Sequence, residues 1–240
     1  MRSLPPFVFE PLPLTSPVRL ELEIMWIDDH GREWFEEMVR NLVLLGDHGG
    51  LSGSTYLPDD ARVQLVEAEI AGSSGSWEFA LAGIDARVVT TIRNCLAYSH
   101  YSVTALEQAV VRAGFHNAAA KTFPSGSCDP LPFATDVALD SDDVSIMAEF
   151  AGRPHDLVSR RVEQVLGAWY EVSAIGGFGP DIREPSRPLA DVEQDVQWLN
   201  NELWLHLTNA AFDEEALDAL LNALAGVHAR VAPIVRVEIQ

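Results

Sequence analysis

One layout occurs twice in this chain and narrows what it can fold into. An alternating strand runs into a polar turn, then an apolar-striped helix, then a double glycine, first over residues 18–54 and again over 143–179. In the first copy Leu20, Leu22, Ile24 and Trp26 alternate with Glu21 and Glu23, the period-two pattern of a half-buried strand. Asp28-Asp29-His30-Gly31 is a turn in which either aspartate can cap the next helix. Trp34, Phe35, Met38, Val39, Leu42 and Leu45 then recur at helical spacing. Gly46 and Gly49-Gly50 close that helix, since glycine readily takes the left-handed conformation a helix stop requires. The second copy has Val144, Ile146, Ala148 and Phe150 as the strand and Gly152-Arg153-Pro154-His155 as the turn. Its helix carries Val158, Val162, Val165, Leu166 and Trp169 on one stripe and stops at Gly176-Gly177-Phe178-Gly179.

Each copy is extended into a complete unit by the residues after it. The first is continued by strands over 62–70 and 77–82, joined by a connection at 72–76. A helix capped by Asp85 comes next, with Val88, Val89, Ile92, Cys95, Leu96 and Ser99 on one face, then residues 103–111, which read as a last strand with a helix as the alternative. After the second copy, strands over 192–199 and 202–208 turn about Asn200-Asn201, a favoured hairpin pair. A helix opened by Asp213 carries Leu217, Leu220, Leu221, Leu224 and His228, and a strand over 234–239 ends the chain. Pro233 before that strand suits a sheet edge. The order is βαββαβ in both halves, the ferredoxin-like arrangement.

The expected fold class is therefore α+β: two tandem ferredoxin-like units, each an antiparallel sheet with its helices on one face, packed as an internal pseudo-dimer. The divisions are a proline-rich arm at 1–17, a first unit at 18–121, a linker at 122–142 and a second unit at 143–240. The linker carries Pro124, Gly126, Pro130 and Pro132 and no hydrophobic period. Helices on one sheet face leave the other bare. The simplest expected cover for that bare face is the other half of the chain, with a cleft between them as the default ligand site.

Charge sets the partner class. Against 36 acidic residues stand 16 Lys and Arg, a net charge of −20, and Lys121 is the only lysine. A surface that binds nucleic acid or an anionic membrane needs clustered basic groups, so neither partner is expected. No apolar run is long enough to span a bilayer and the N-terminus does not read as a signal peptide, which makes a cytoplasmic location the expectation. Cys95 and Cys128 form no CxxC pair.

The chemistry-bearing motifs are sparse. The sequence has no GxSxG, HExxH, GxxxxGK[ST] or GxGxxG pattern, and no cofactor is expected. The glycine runs at 49–54 and 176–179 follow helix C-termini, the wrong end for phosphate. Histidines are the remaining candidates. In this fold the start of the first helix and the end of the second lie at one end of the sheet, pairing His30 with His100 and His155 with His228. The metal set to test is His30, His100, Asp28 and Asp29; the opposite end would gather Asp47, His48, Asp85 and His116. Arg153, Arg160, Arg161, Arg183 and Arg187 form the densest basic group.

Two functions stand against each other. One is a non-enzymatic acidic protein, monomeric or homodimeric, that occupies a basic protein partner as a toxin-neutralising protein would. The alternative is a small-molecule or metal-dependent enzyme with its site between the halves or at the His30/His100 end. A continuous acidic face favours the first; a deep cleft lined by His and Arg favours the second.

Overall fold

The structure, a computed structural model, describes residues 8–9, 17–51, 62–82, 84, 87–102, 106–115, 131–138, 143–179, 194–208 and 214–240. In chain order the elements are β1 (Val8–Phe9), β2 (Pro17–Trp26), α1 (Asp29–Asp47), β3 (Arg62–Ala71), β4 (Ser74–Ala82), α2 (Arg87–Ser102) and β5 (Leu106–Phe115). Then come β6 (Ala134–Val137), β7 (Val144–Phe150), α3 (Asp156–Ala174), β8 (Gln194–Leu199), β9 (Glu202–Leu207), α4 (Glu214–Arg230) and β10 (Ile234–Ile239). The result is an α+β chain with two five-stranded sheets and four helices among the described residues.

The sheets run β1-β5-β2-β4-β3 and β6-β10-β7-β9-β8, so the second repeats the first with each strand moved on by five. Within each sheet the pairings are antiparallel except at β1–β5 and β6–β10, which are parallel. These two parallel strands are additions to the expected layout. Val8 and Phe9 of the proline-rich arm lie against Val110 and Val111, and residues 134–137 of the expected linker lie against Arg236–Ile239. The expectation that Pro233 marks an edge strand is overturned for the same reason. β10 is interior, flanked by β6 and β7, and Pro233 sits just before it, where no ladder hydrogen bond is lost.

Boundaries moved where turns proved tighter than their composition suggested. β3 and β4 are joined by Gly72-Ser73 alone, not by the longer 72–76 segment, and Gly72 supplies the positive φ of 59° that such a two-residue turn needs. Asn200 does the same at φ 60° between β8 and β9. The last strand of the first half is a strand, but over Leu106–Phe115 rather than 103–111. The expected caps Asp85 and Asp213 lie outside the described residues.

Both long helices begin and end as their residues dictate. Asp28 caps α1 by accepting the Gly31 amide at 2.9 Å, and His155 takes the same place ahead of α3, its Nδ1 accepting from Leu157 at 3.5 Å. At the other end Gly49 has φ 83° and donates to the Gly46 carbonyl, while Gly50 donates to Leu45 at 2.9 Å. α3 repeats this: Gly176 has φ 71° and donates to Ser173, and Gly177 donates to Val172 at 2.9 Å. Both ends are Schellman stops, with carbonyls of the last turn satisfied by the two glycine amides.

The halves meet through their helices. α1 packs on α3 and α4, and α3 on α4, while α1 touches β2 and β3 and α4 touches β10. The expectation that bare sheet faces would cover one another therefore fails. The apolar stripes of α1 and α3 are wide enough to serve both their own sheet and the facing helices. Phe35, Leu45, Val162, Val165 and Trp169 are buried to 0% exposure in a single core that spans both halves. Trp169 also donates its indole N–H to the Ala216 carbonyl at 2.8 Å, tying α3 to α4. Leu203, Leu205 and Leu207 face the helices, and Trp204 and His206 lie half-buried on the far side.

Two helical glycines separate close approach from mere tolerance. A Cβ on Gly226 of α4 would lie 1.9 Å from the His48 carbonyl oxygen, whereas one on Gly167 of α3 would meet nothing within 4 Å. Gly226→Ala should cost about 3 kcal/mol or more, because backbone must shift to admit the methyl. Gly167→Ala should instead stabilise by about 0.5–1 kcal/mol through helix propensity. Urea denaturation of the two variants checks this, and equal effects would show that the helices do not approach here as described.

Candidate functional site

The seam between the halves is built from helix ends. The stop of α1 lies against α4: a Cβ on Gly50 would meet the Ala219 carbonyl at 3.3 Å and the Ala223 methyl at 3.4 Å. The stop of α3 lies against α2 in the same manner, where a Cβ on Gly177 would meet Cys95 Sγ at 2.9 Å. Asn94 of α2 fixes this second contact by donating its side-chain amide to the carbonyls of Gly179 at 2.7 Å and Gly177 at 3.2 Å. Its Oδ1 is buried and has no partner. Asn222 is the matching residue of α4, 7% exposed like Asn94.

Between these ends lies a cavity of about 210 Å³, lined in part by Leu51, Thr91, Phe178, Glu215 and Asn222. It occupies the expected place, between the halves. Among the described residues lining it there is no histidine, arginine or cysteine, and Glu215 is the only ionisable group.

A sequence signal for this seam exists and lies on the second helix of each half. Asn94-Cys95-Leu96-Ala97 with His100 matches Asn222-Ala223-Leu224-Ala225 with His228 residue for residue at Asn, Leu, Ala and His. Comparing the halves only by element order passes over it, because an asparagine within a helix reads as a neutral surface residue. Its buried role becomes visible only once a second helix end is placed against it.

Both aspartates of the expected metal set have other partners. Asp28 is the cap of α1, and Asp29 pairs with Arg32 at 3.6 Å. His30 is exposed, and the His100 side chain lies outside the described residues. The pairing of Trp26 with Leu106 does bring the chain leaving β2 beside the chain entering β5, so α1 starts at the end of the sheet where α2 finishes. Among the described residues no group of three or more His, Cys, Asp or Glu is placed to hold a metal ion.

At the opposite end Asp47 accepts the Val63 amide at 2.8 Å, anchoring β3 to α1, while Asp85 and His116 lie outside the described residues. His48 is 4% exposed and its Nδ1 bonds the Leu44 carbonyl at 2.9 Å. Burial, aided by the positive charges of Arg161 and Arg230, lowers its pKa. His228 bonds the backbone of Ile234 through Nδ1, and Ser145 bonds His206 at 2.9 Å. Burial pushes the Cys95 thiol up to about 12, which removes it as a nucleophile. Arg153, Arg160 and Arg161 are exposed on the turn and first turns of α3, and Arg183 and Arg187 lie outside the described residues.

The outer sheet faces are the other large feature, and they are acidic. On the first sheet Glu21, Glu78 and Glu67 lie in one cross-strand row, and Glu23 and Glu69 flank Ser76 in the next. Arg19 and Arg112 answer part of this charge, Arg19 reaching Glu78 at 2.6 Å and Arg112 reaching Glu23 at 2.5 Å. The small residues Ser74, Gly75 and Ser76 leave a shallow hollow of about 330 Å³ between Glu23 and Glu69. On the second sheet Asp195, Glu149, Glu202 and Glu238 accompany Arg236. No helix among the described residues is long and apolar enough to cross a membrane. Comparison with protein-family models and with curated proteins finds no match for the chain.

The two bonds from Asn94 make it the polar anchor of the seam. Asn94→Leu keeps the size of the side chain and leaves two buried carbonyls without a donor. It should lower stability by about 2–4 kcal/mol in urea denaturation. A loss below about 0.5 kcal/mol would place the α2–α3 contact among the incidental ones.

Proposed function

We propose that this chain is a non-enzymatic binding protein whose acidic outer faces occupy a basic protein partner, in the way a toxin-neutralising protein covers its target. The observation that carries this reading is the first sheet's outer face, where Glu21, Glu23, Glu67, Glu69 and Glu78 outnumber Arg19, Arg62 and Arg112. Each half is read here as a ferredoxin-like repeat carrying one added parallel strand, the two joined helix to helix as an internal pseudo-dimer. In support, both sheets place the four strands of that unit in the order fourth, first, third, second. Among the described residues, helices turned inward leave both outer faces without a covering element, and the net charge of −20 makes those faces attractive to cations.

The test is an association measurement. A partner isolated with the native protein should be basic and should dissociate as salt rises, with affinity falling about tenfold or more when Glu67, Glu69, Glu149 and Glu202 are together replaced by Gln. An acidic partner, or binding indifferent to salt and to those replacements, would sink the proposal.

The competing reading is a small-molecule or metal-dependent enzyme. The seam cavity, with Thr91, Glu215 and Asn222 in its lining, favours a small ligand there. Nothing in the described lining supplies an acid–base pair, while Asp28 is used as a helix cap and Asp29 pairs with Arg32. Metal analysis and mass spectrometry of the native protein decide between the readings. Under the binding proposal neither a metal nor a small molecule accompanies the chain in equal amount; finding either would move the function to the seam or to the His30 end.

A further inference from the structure

We propose that the free edge of β3 accepts an extended basic segment of the partner as an added strand; this rests on the basic-partner reading. Among the described residues β3 pairs with β4 on one side and is the edge of its sheet on the other. Its ten residues would run roughly 33 Å at the usual strand rise. Past Val63, whose amide donates to Asp47, this side offers its N–H and C=O groups to an added strand. The other edge strands among the described residues are shorter: β1 has two residues, β6 four and β8 six. Every residue of β3 is exposed except Val63.

The side chains of β3 state what the added strand must carry. A bulge at Val66 shifts the register between Leu65 and Glu67. Beyond it Glu67 and Glu69 share the outer face, two residues apart, opposite Glu78 and Ser76. Among the described residues neither glutamate has an ion-pair partner, since Arg19 is held by Glu21 and Glu78 and Arg112 by Glu21 and Glu23. On the other side Leu65 and Ile70 are 49% and 50% exposed, with Val66 at 56%. An added strand with Lys or Arg at alternate positions and apolar residues between would meet both sets at once.

The same residues disfavour a second copy of the chain as the occupant. Two β3 edges brought together would set Glu67 and Glu69 of one against those of the other, between molecules that each carry −20. Like charges across a strand pair are destabilising.

The probe is a synthetic peptide of alternating lysine and valine, added to the full chain at low salt, with a control of the same composition in two blocks. Amide hydrogen exchange along β3 reads strand addition, and titration reads affinity. The alternating peptide should slow exchange of outward-facing β3 amides and bind roughly tenfold or more tightly than the block peptide. Glu67→Lys with Glu69→Lys should remove that preference while leaving the circular dichroism spectrum unchanged, since both residues are exposed. Equal binding of the two peptides with no protection along β3 would overturn the strand addition and leave the basic-partner reading standing. Protection of β3 that grows with protein concentration alone would overturn it in favour of a second copy. Failure of the isolated native partner to be basic would remove the reading on which it rests.

Discussion

At the end of each long helix the chain must satisfy the last carbonyls, reverse direction and leave room for a helix from the other half. Only a glycine pair does all three. Gly49 and Gly176 take the left-handed conformation that closes the stop, and Gly50 and Gly177 have no side chain to hold off Ala223 and Cys95. Gly226 then lets α4 reach the His48 carbonyl. The two stops are reciprocal, each clasped by the second helix of the opposite half. Neither half can bury its long helix without the other, which is why one continuous core runs through both.

Turning the helices inward decides where function can lie. The seam is closed by backbone contacts and by an asparagine whose amide is spent on two carbonyls, and its cavity is small and nearly without charge. The ionisable groups within the interior are tuned toward their neutral forms, His48 lowered and Cys95 raised, each chiefly by burial. The features still available are the pair of outer sheet faces and their edges. There the alternation that buried Leu20, Leu22 and Ile24 necessarily sends Glu21 and Glu23 outward.

Much of this was legible in the residues. Alternation at 20–26 and 144–150, helical spacing at 34–45 and 158–169, and the two glycine stops each depend on neighbours close in sequence, and each appears where the pattern put it. Pairing that depends on distant residues was not. Val8–Phe9 and Ala134–Val137 are too short to show a period and lie among prolines, so nothing local marks them as strands. The bare sheet face looked like the part needing cover because a strand pattern shows which side is apolar, never what lies upon it. The repeated Asn-x-Leu-Ala-x-x-His of α2 and α4 was the one signal of the seam written in the sequence, and its meaning depended on a helix end from the other half.

The acidity of the chain bears on these same edges. Glu171 of α3 has its pKa raised by burial and by the charge of Glu37 of α1. Like charges are thus tolerated even where helices meet, so the acid excess is not confined to places where it is harmless. On an exposed strand edge it has a definite effect. Beyond roughly 8 Å physiological salt screens most of the interaction between molecules, so the charge on the edge itself matters more than the net figure. Glutamates on β3 repel another copy of β3 and attract a cationic segment through the same carboxylates. An unpaired edge of that length would otherwise invite self-association. On the proposed reading, a single chemical choice would both protect the edge and select what can join it.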